Sequence, residues 1–263
     1  MIATLDFELP ETLEASETPE ERGLRRDGVR LLVANCAGVA NGADGAIRHL
    51  TFADLPSVLE PGDVLAVNTS ATLPAALDVE TATGQPGRLH LSTQLPAGLW
   101  TVELRHPGVP ASTTWLDAVA GTLLRLPGGG LVELLVPAGG WHAGETTVRL
   151  WIAAIDLPQP LLSYVARFGR PIRYGYVTAD RPISAYQTVF ADEPGSAEMP
   201  SAARPFSAEL VTRLVTRGVG FAPFVLHTGV SSLEAHEPPC AERYRSASTL
   251  PIASMPLALR GTA

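Results

Sequence analysis

The chain has 263 residues and a formal net charge of −8, from 27 acidic against 19 basic side chains, a length that suits one large domain or two smaller ones. With 46% hydrophobic and only 17% charged residues it is set to bury a core, and because every one of the 19 basic residues is Arg, Lys-based Schiff-base and P-loop chemistry are excluded. Two cysteines, Cys36 and Cys240, are too few for a disulfide framework and have no metal-ligand spacing, so reduced thiols and no metal are expected.

The opening, Met1 to Glu8, lacks the basic start and apolar run of a signal peptide, and no stretch is apolar for the roughly 18 residues a membrane span needs. A soluble cytoplasmic protein without a membrane partner is the expectation. Arg30 to Ala34 reads as a short strand. Thr51 and Asp54 form a Thr-x-x-Asp cap at the head of a short helix ending near Leu59. Pro61-Gly62-Asp63 then turns the chain into Val64 to Asn68, an apolar run suited to a buried strand.

From about residue 84 to 152 the pattern changes to short β runs at 88–91, 99–104, 121–126, 131–136 and 146–151, separated by Pro- and Gly-rich turns. Regular short strands of this kind indicate a small antiparallel sandwich or barrel. With α/β signals on either side, the fold class is an α/β main domain interrupted by an inserted small antiparallel β-barrel. The expected divisions are 1–83 and 153–263 for the main domain and 84–152 for the insert. After the insert, Pro158 to Arg167 reads as a short helix. Ser207 is a natural N-cap for 208–217, where Leu210, Val211, Leu214 and Val215 form an apolar stripe and Gly218 ends the helix. Phe221 to His227 reads as a strand that Pro223 restricts to an edge or an early position.

The Gly-rich runs at 127–130 and 138–140 lack the strand–GxGxxG–helix setting of a phosphate loop and read as hairpin turns. Cys36 reads as a buried structural thiol, and His49, His90, His106 and His142 have no ligand spacing. Arg167, Arg170, Arg173 and Arg181 are interleaved with Tyr164, Tyr174 and Tyr176. Guanidinium groups among aromatics can hold phosphates and stack bases, and the same pattern also describes a solvated loop. The acidic balance argues against bulk nucleic-acid binding but leaves room for such a local patch. His227 sits at the C-terminal end of this strand and precedes the Gly-containing loop 228–232, the place where open α/β sheets gather ligands. The sequence carries no signal for an oligomeric state.

Several segments in order resemble one family, the S-adenosylmethionine:tRNA ribosyltransferase-isomerases of queuosine biosynthesis. They are Leu5-Asp6-Phe7-Glu8-Leu9-Pro10, Arg30 to Val33, Phe52 to Pro56 with Pro61-Gly62-Asp63, Asn68 with Leu73-Pro74-Ala75, Tyr186 to Ala191 with Pro194-Gly195-Ser196-Ala197, Pro200-Ser201-Ala202, Phe206-Ser207, and Leu226-His227-Thr228-Gly229. The resemblance implies the same interrupted layout. It also implies transfer and isomerisation of the ribosyl part of S-adenosylmethionine, a co-substrate, onto a 7-aminomethyl-7-deazaguanine base in tRNA to give epoxyqueuosine, with adenine and methionine leaving and no metal involved. By the resemblance, His227 is the acid/base candidate, and Asn68, Tyr186, Gln187, Pro200, Ala202, Phe206 and Gly229 are substrate-binding candidates. Arg167, Arg170, Arg173, Tyr174 and Tyr176 are the candidates for RNA contact.

The chain departs from the family at defined places. An Asn-Asp-Thr-Arg motif is Asn68-Thr69-Ser70-Ala71 here, its later Arg is Ala76, a His is replaced by Pro205, and a Met-His-Ser-Glu segment corresponds to Tyr244-Arg245-Ser246-Ala247. After Ser246 the family's C-terminal motifs do not follow, so a divergent and C-terminally truncated member is expected, with apolar faces left open in its main domain. Two other readings stay beside the first: the same scaffold acting on a small-molecule acceptor, and a non-enzymatic S-adenosylmethionine-binding protein.

Overall fold

The computed structural model describes residues 10, 15–34, 47–109, 112–138, 148–173, 177 and 179–230. Among them the chain forms a closed antiparallel barrel and three two-stranded sheets. Strand β1 (Arg30–Ala34) pairs antiparallel with β2 (Ile47–Thr51). The cap foreseen at Thr51 and Asp54 forms as a reciprocal capping box, and the short helix it starts is a 3₁₀ turn, Phe52–Ser57, with Pro56 inside it. Strand β3 (Val64–Asn68) follows and, after Thr69, the short β4 (Ser70–Thr72).

The barrel is built from β5 (Ala76–Thr81), β6 (Pro86–Gln94), β7 (Leu99–His106), β9 (Leu123–Arg125), β10 (Leu131–Pro137) and β11 (Leu150–Asp156), with the two-residue β8 (Thr113–Thr114) added beside β7. Pairing of β11 back onto β7 closes it, which removes exposed sheet edges. Alternation along the strands turns Leu77, Val79, Leu89, Leu91, Val102, Leu104, Leu124, Val132 and Leu134 into one core. The barrel reaches past the window 84–152 at both ends, because β5 precedes it and the last residues of β11 follow it.

The 127–130 run is the hairpin between β9 and β10. Gly128 has φ +73°, and an added Cβ would lie 2.7 Å from the Phe168 ring, so both conformation and space require glycine there. That ring belongs to helix α1 (Leu161–Phe168), whose buried Tyr164 donates its hydroxyl to the Pro127 carbonyl and caps the end of the barrel.

Helix α2 (Ala208–Thr216) begins where Ser207 accepts the Leu210 amide. Its Leu210 and Leu214 pack with Leu65, Val67, Phe206 and Val219 in a second core. Strand β13 (Gly220–Phe224) runs parallel to β3 and has no other strand neighbour among the described residues, so Pro223 sits in an edge strand among them, as its missing donor suits. Strand β12 (Glu193–Ser196) runs parallel to β4. Parallel pairs and the antiparallel barrel therefore share the stretch 64–81, and His227 comes back onto β4 within it. No described helix is long and apolar enough to cross a membrane.

Candidate functional site

Alternate positions 68, 70 and 72 each turn a polar group toward segments more than a hundred residues further on. The Asn68 amide brackets Leu226, donating to its carbonyl (2.7 Å) and accepting its amide (3.0 Å). Ser70 Oγ lies 2.7 Å from His227 Nδ1 and 2.6 Å from Ser196 Oγ. Thr72 donates its hydroxyl to the Tyr186 carbonyl (2.7 Å), while the Gln187 side chain accepts the Thr72 amide (2.9 Å) and donates to the Thr72 carbonyl (2.8 Å). Gln187 thus supplies both hydrogen bonds that a neighbouring strand would give.

The 226–230 segment is fixed from the other side as well. Ser196 Oγ accepts the Thr228 amide (3.1 Å), the Thr228 carbonyl accepts the Ala197 amide (2.8 Å), and the Thr228 hydroxyl donates to the Glu198 carbonyl (2.6 Å). Gly195 falls at a register shift of β12, and a Cβ placed on it would lie 2.3–2.5 Å from three atoms of the His227 ring. The imidazole therefore lies directly against the Gly195 backbone. Gly229 meets the barrel at a second register shift, between Leu91 and Thr93 of β6; a Cβ on it would come within 2.4 Å of Thr93 Oγ1 and 2.6 Å of Ser92 Oγ. Bulges re-aim side chains in this way beside sites. Val230 then enters the barrel core.

The outcome is a histidine whose Nδ1 is held and whose side chain is exposed, at the junction of the barrel with the parallel strand pairs. Of the residues singled out in the sequence, Asn68, Tyr186, Gln187, His227 and Gly229 converge here. Pro200 accepts the Ala203 amide in the short 3₁₀ turn Ser201–Ala203, which contains Ala202. Phe206 is a member of the second core, in edge contact with Phe52 at 5.0 Å and Phe190 at 5.3 Å. Ser70, Thr72, Ser196 and Thr228 were not singled out, since small hydroxyl residues have no spacing signature. For Ser196 and Thr228, their positions inside segments that carry the resemblance were the one available signal; Ser70 and Thr72 had none.

The guanidinium of Arg167 stands 4.9 Å from the Phe168 ring centre, Arg170 pairs with Asp78, and Arg173 pairs with Asp180 at 3.4 Å. Arg181 pairs with Glu21 at 2.7 Å, and Arg204 and Arg26 share Glu20. Hydrogen bonds from Arg181 hold the Glu21 carboxyl down at about 2. Tyr174 and Tyr176 lie outside the described residues, as do Cys36, Cys240 and His142.

A second polar cluster is buried in the barrel wall. Glu103 receives Arg105 at 2.7 Å and has His90 Nδ1 at 3.3 Å and Arg149 at 3.6 Å, while Arg105 also donates to the Ser112 hydroxyl at 2.9 Å. Burial pushes the Glu103 carboxyl up, but the His90 hydrogen bond and the two guanidinium charges more than offset it and leave it below the ordinary range. Burial pushes His90 down and outweighs the attraction of Glu103. Among the described residues no three His, Cys, Asp or Glu side chains gather as a metal site.

A family model described as "Queuosine biosynthesis protein" matches residues 2–248 of the chain. The S-adenosylmethionine:tRNA ribosyltransferase-isomerase of Thermotoga petrophila is 30% identical over 231 residues, which cover 88% of this chain and 61% of that protein. The proteins of the same name from Pelobacter propionicus and Anaeromyxobacter sp. are 31% and 33% identical, covering 89% and 87% of this chain and 62% and 60% of their own length. The chain thus spans about three fifths of the length of these relatives. Among solved structures, the S-adenosylmethionine tRNA ribosyltransferase of Thermotoga maritima is 26% identical, with a TM-score of 0.31 over 85% of this chain and 57% of that one.

Proposed function

The chain belongs to the queuosine biosynthesis protein family, and from that premise we propose that it acts as an S-adenosylmethionine:tRNA ribosyltransferase-isomerase. In this reading it transfers the ribosyl moiety of S-adenosylmethionine to a 7-aminomethyl-7-deazaguanine base in tRNA and rearranges it to epoxyqueuosine. A tRNA substrate would put the reaction in the cytoplasm. The barrel, from β5 to β11, is read as an insert and the parallel strand pairs as the α/β domain it interrupts, so the insert extends beyond the expected 84–152 at both ends.

One observation carries the proposal. Three of the segments that match the family, at 186–187, 194–197 and 226–229, are held together by the stretch 68–72, in which Asn68 matches and Ser70 departs from the family, and the last of them presents an exposed imidazole there. The chemistry asks for a proton to leave the carbon beside the sulfonium and for a donor to the departing adenine, and an exposed histidine on a rigid polar base suits proton management of that kind. Asn68, Tyr186, Gln187 and Gly229 would shape the nucleoside pocket around it, with Pro200 and Ala202 as further substrate contacts and Phe206 acting from its place in the second core. Arg167, Arg170 and Arg173 would exchange their present aromatic and carboxylate partners for phosphates, joined by Tyr174 and Tyr176.

The test is incubation of the purified chain with S-adenosylmethionine and precursor-bearing tRNA while free adenine is followed. Release that requires tRNA supports the reading. Release driven by a small-molecule extract in place of tRNA, or binding of S-adenosylmethionine without any release, would replace it with another function for the same scaffold.

A further inference from the structure

The hydroxyl chain beneath His227 decides which ring nitrogen carries the proton. Ser196 and Ser70 are both 0% exposed, so neither hydroxyl can turn to solvent. Ser196 Oγ has two partners among the described residues, the Thr228 amide and Ser70 Oγ. The amide can only donate, so the Ser196 hydroxyl proton has one acceptor left, Ser70 Oγ. Ser70 has then received a hydrogen bond, and its own proton goes to its remaining partner, His227 Nδ1. Each buried proton is used once, and the direction runs from the Thr228 amide through Ser196 and Ser70 to the ring. The reverse direction, with Nδ1 donating, would leave the Ser196 proton buried without an acceptor, which is costly.

We infer that Ser70 and Ser196 are positioning residues that fix neutral His227 with its proton on Nε2, so that the ring presents a hydrogen-bond donor, not a lone pair, to whatever occupies the exposed side. Nε2 has no hydrogen-bond partner among the described residues, and Gly195 beneath the ring keeps it from tilting. The complementary ligand atom is an acceptor such as a ring nitrogen of a purine or a ribose oxygen. Resting on the proposed function, this makes His227 the donor to the departing adenine and leaves removal of the proton beside the sulfonium to another group.

The experiment is a long-range ¹H–¹⁵N correlation spectrum of the full chain with ¹⁵N-labelled histidine, recorded without substrate at a pH where His227 is neutral. His227→Gln identifies its signals. The account predicts a pyrrole-like shift for Nε2 and a pyridine-like shift for Nδ1. Ser70→Ala should move both shifts toward the average of mixed tautomers, and Ser70→Thr, which keeps the hydroxyl, should restore them. A wild-type spectrum with the proton on Nδ1 would overturn the inference, as would a Ser70→Ala spectrum unchanged from wild type in a folded sample. Because no turnover is needed, this outcome is independent of the adenine assay. A correct tautomer with no adenine release would remove the proposed function and leave the hydroxyl chain standing.

Discussion

Gly195 is the residue on which the site's geometry turns most sharply. Its backbone is not in the left-handed region, so alanine is conformationally permitted; the penalty comes from the imidazole, which would have to leave the space that Cβ atom needs. Gly195→Ala should therefore leave the melting temperature near wild type while cutting adenine release by about 10²-fold, the loss expected of a misplacement of about 1 Å. His227→Ala should cost a comparable factor, on the order of 10² to 10³, for loss of a hydrogen-bond donor to the leaving group. Retention of full activity by the glycine variant would mean that the ring's seat is irrelevant. At this scale the sequence was half legible. His227 stood out because it follows a strand and precedes a glycine loop. Ser70 and Ser196 are separated by 126 positions and Ser70 and His227 by 157, and only the folded chain brings the three together.

Among the elements, the two polar devices make separate predictions. Gln187 acts as a one-residue strand against Thr72, which is buried, so Gln187→Ala strands an amide and a carbonyl and should destabilise the fold by about 1–3 kcal/mol in a thermal or urea melt. The buried cluster at Glu103 is under tighter constraint. Glu103→Ala leaves His90, Arg105 and Arg149 around an absent charge and should cost about 3–5 kcal/mol.

The same cluster sets an acid limit. His90 is lowered from 6.5, so the unfolded chain takes up a proton below that pH that the folded chain resists, and stability falls as pH falls. Glu103 is lowered from 4.5, so its contribution is complete above that value and is lost as pH drops through the lower folded value. Both contributions have the same sign. His90→Gln should flatten the decline that starts near 6.5, and Glu103→Gln the part that starts near 4.5, in melting temperature measured against pH.

Strands β6, β7, β9 and β10 were legible because apolar alternation and Gly–Pro turns are local signals, and so was α2, whose stripe and Ser207 cap fall within one helix; β5 was not read as a strand, and β11 (Leu150–Asp156) lies later than the run expected at 146–151. Strand β12 was not legible, since its sequence Glu-Pro-Gly-Ser reads as a turn and becomes a strand only through pairing with β4. The 3₁₀ turn at Phe52–Ser57 shows the opposite case, where a correct cap signal starts a helix that Pro56 keeps tight and short.

Over the whole molecule, the barrel and the parallel strand pairs meet at the 226–230 segment. The barrel core takes Val230, the parallel pairs take Leu226 and His227, and Gly229 allows the chain to pass against the β6 hydroxyls between them. A site at such a junction can be rigid without being deeply buried, because the strands on both sides already hold its backbone. The presence of a barrel was expected from the patterning and the resemblance together. Its contact with the parallel pairs came from pairings more than a hundred residues apart, which no local pattern encodes. The central claim is that this junction carries out ribosyl transfer from S-adenosylmethionine to tRNA, and its most direct test is the appearance of free adenine. A folded preparation with S-adenosylmethionine should release adenine when precursor-bearing tRNA is present and not when it is omitted, and His227→Ala should lose that release; no adenine from the folded wild-type chain in the presence of both substrates would contradict it.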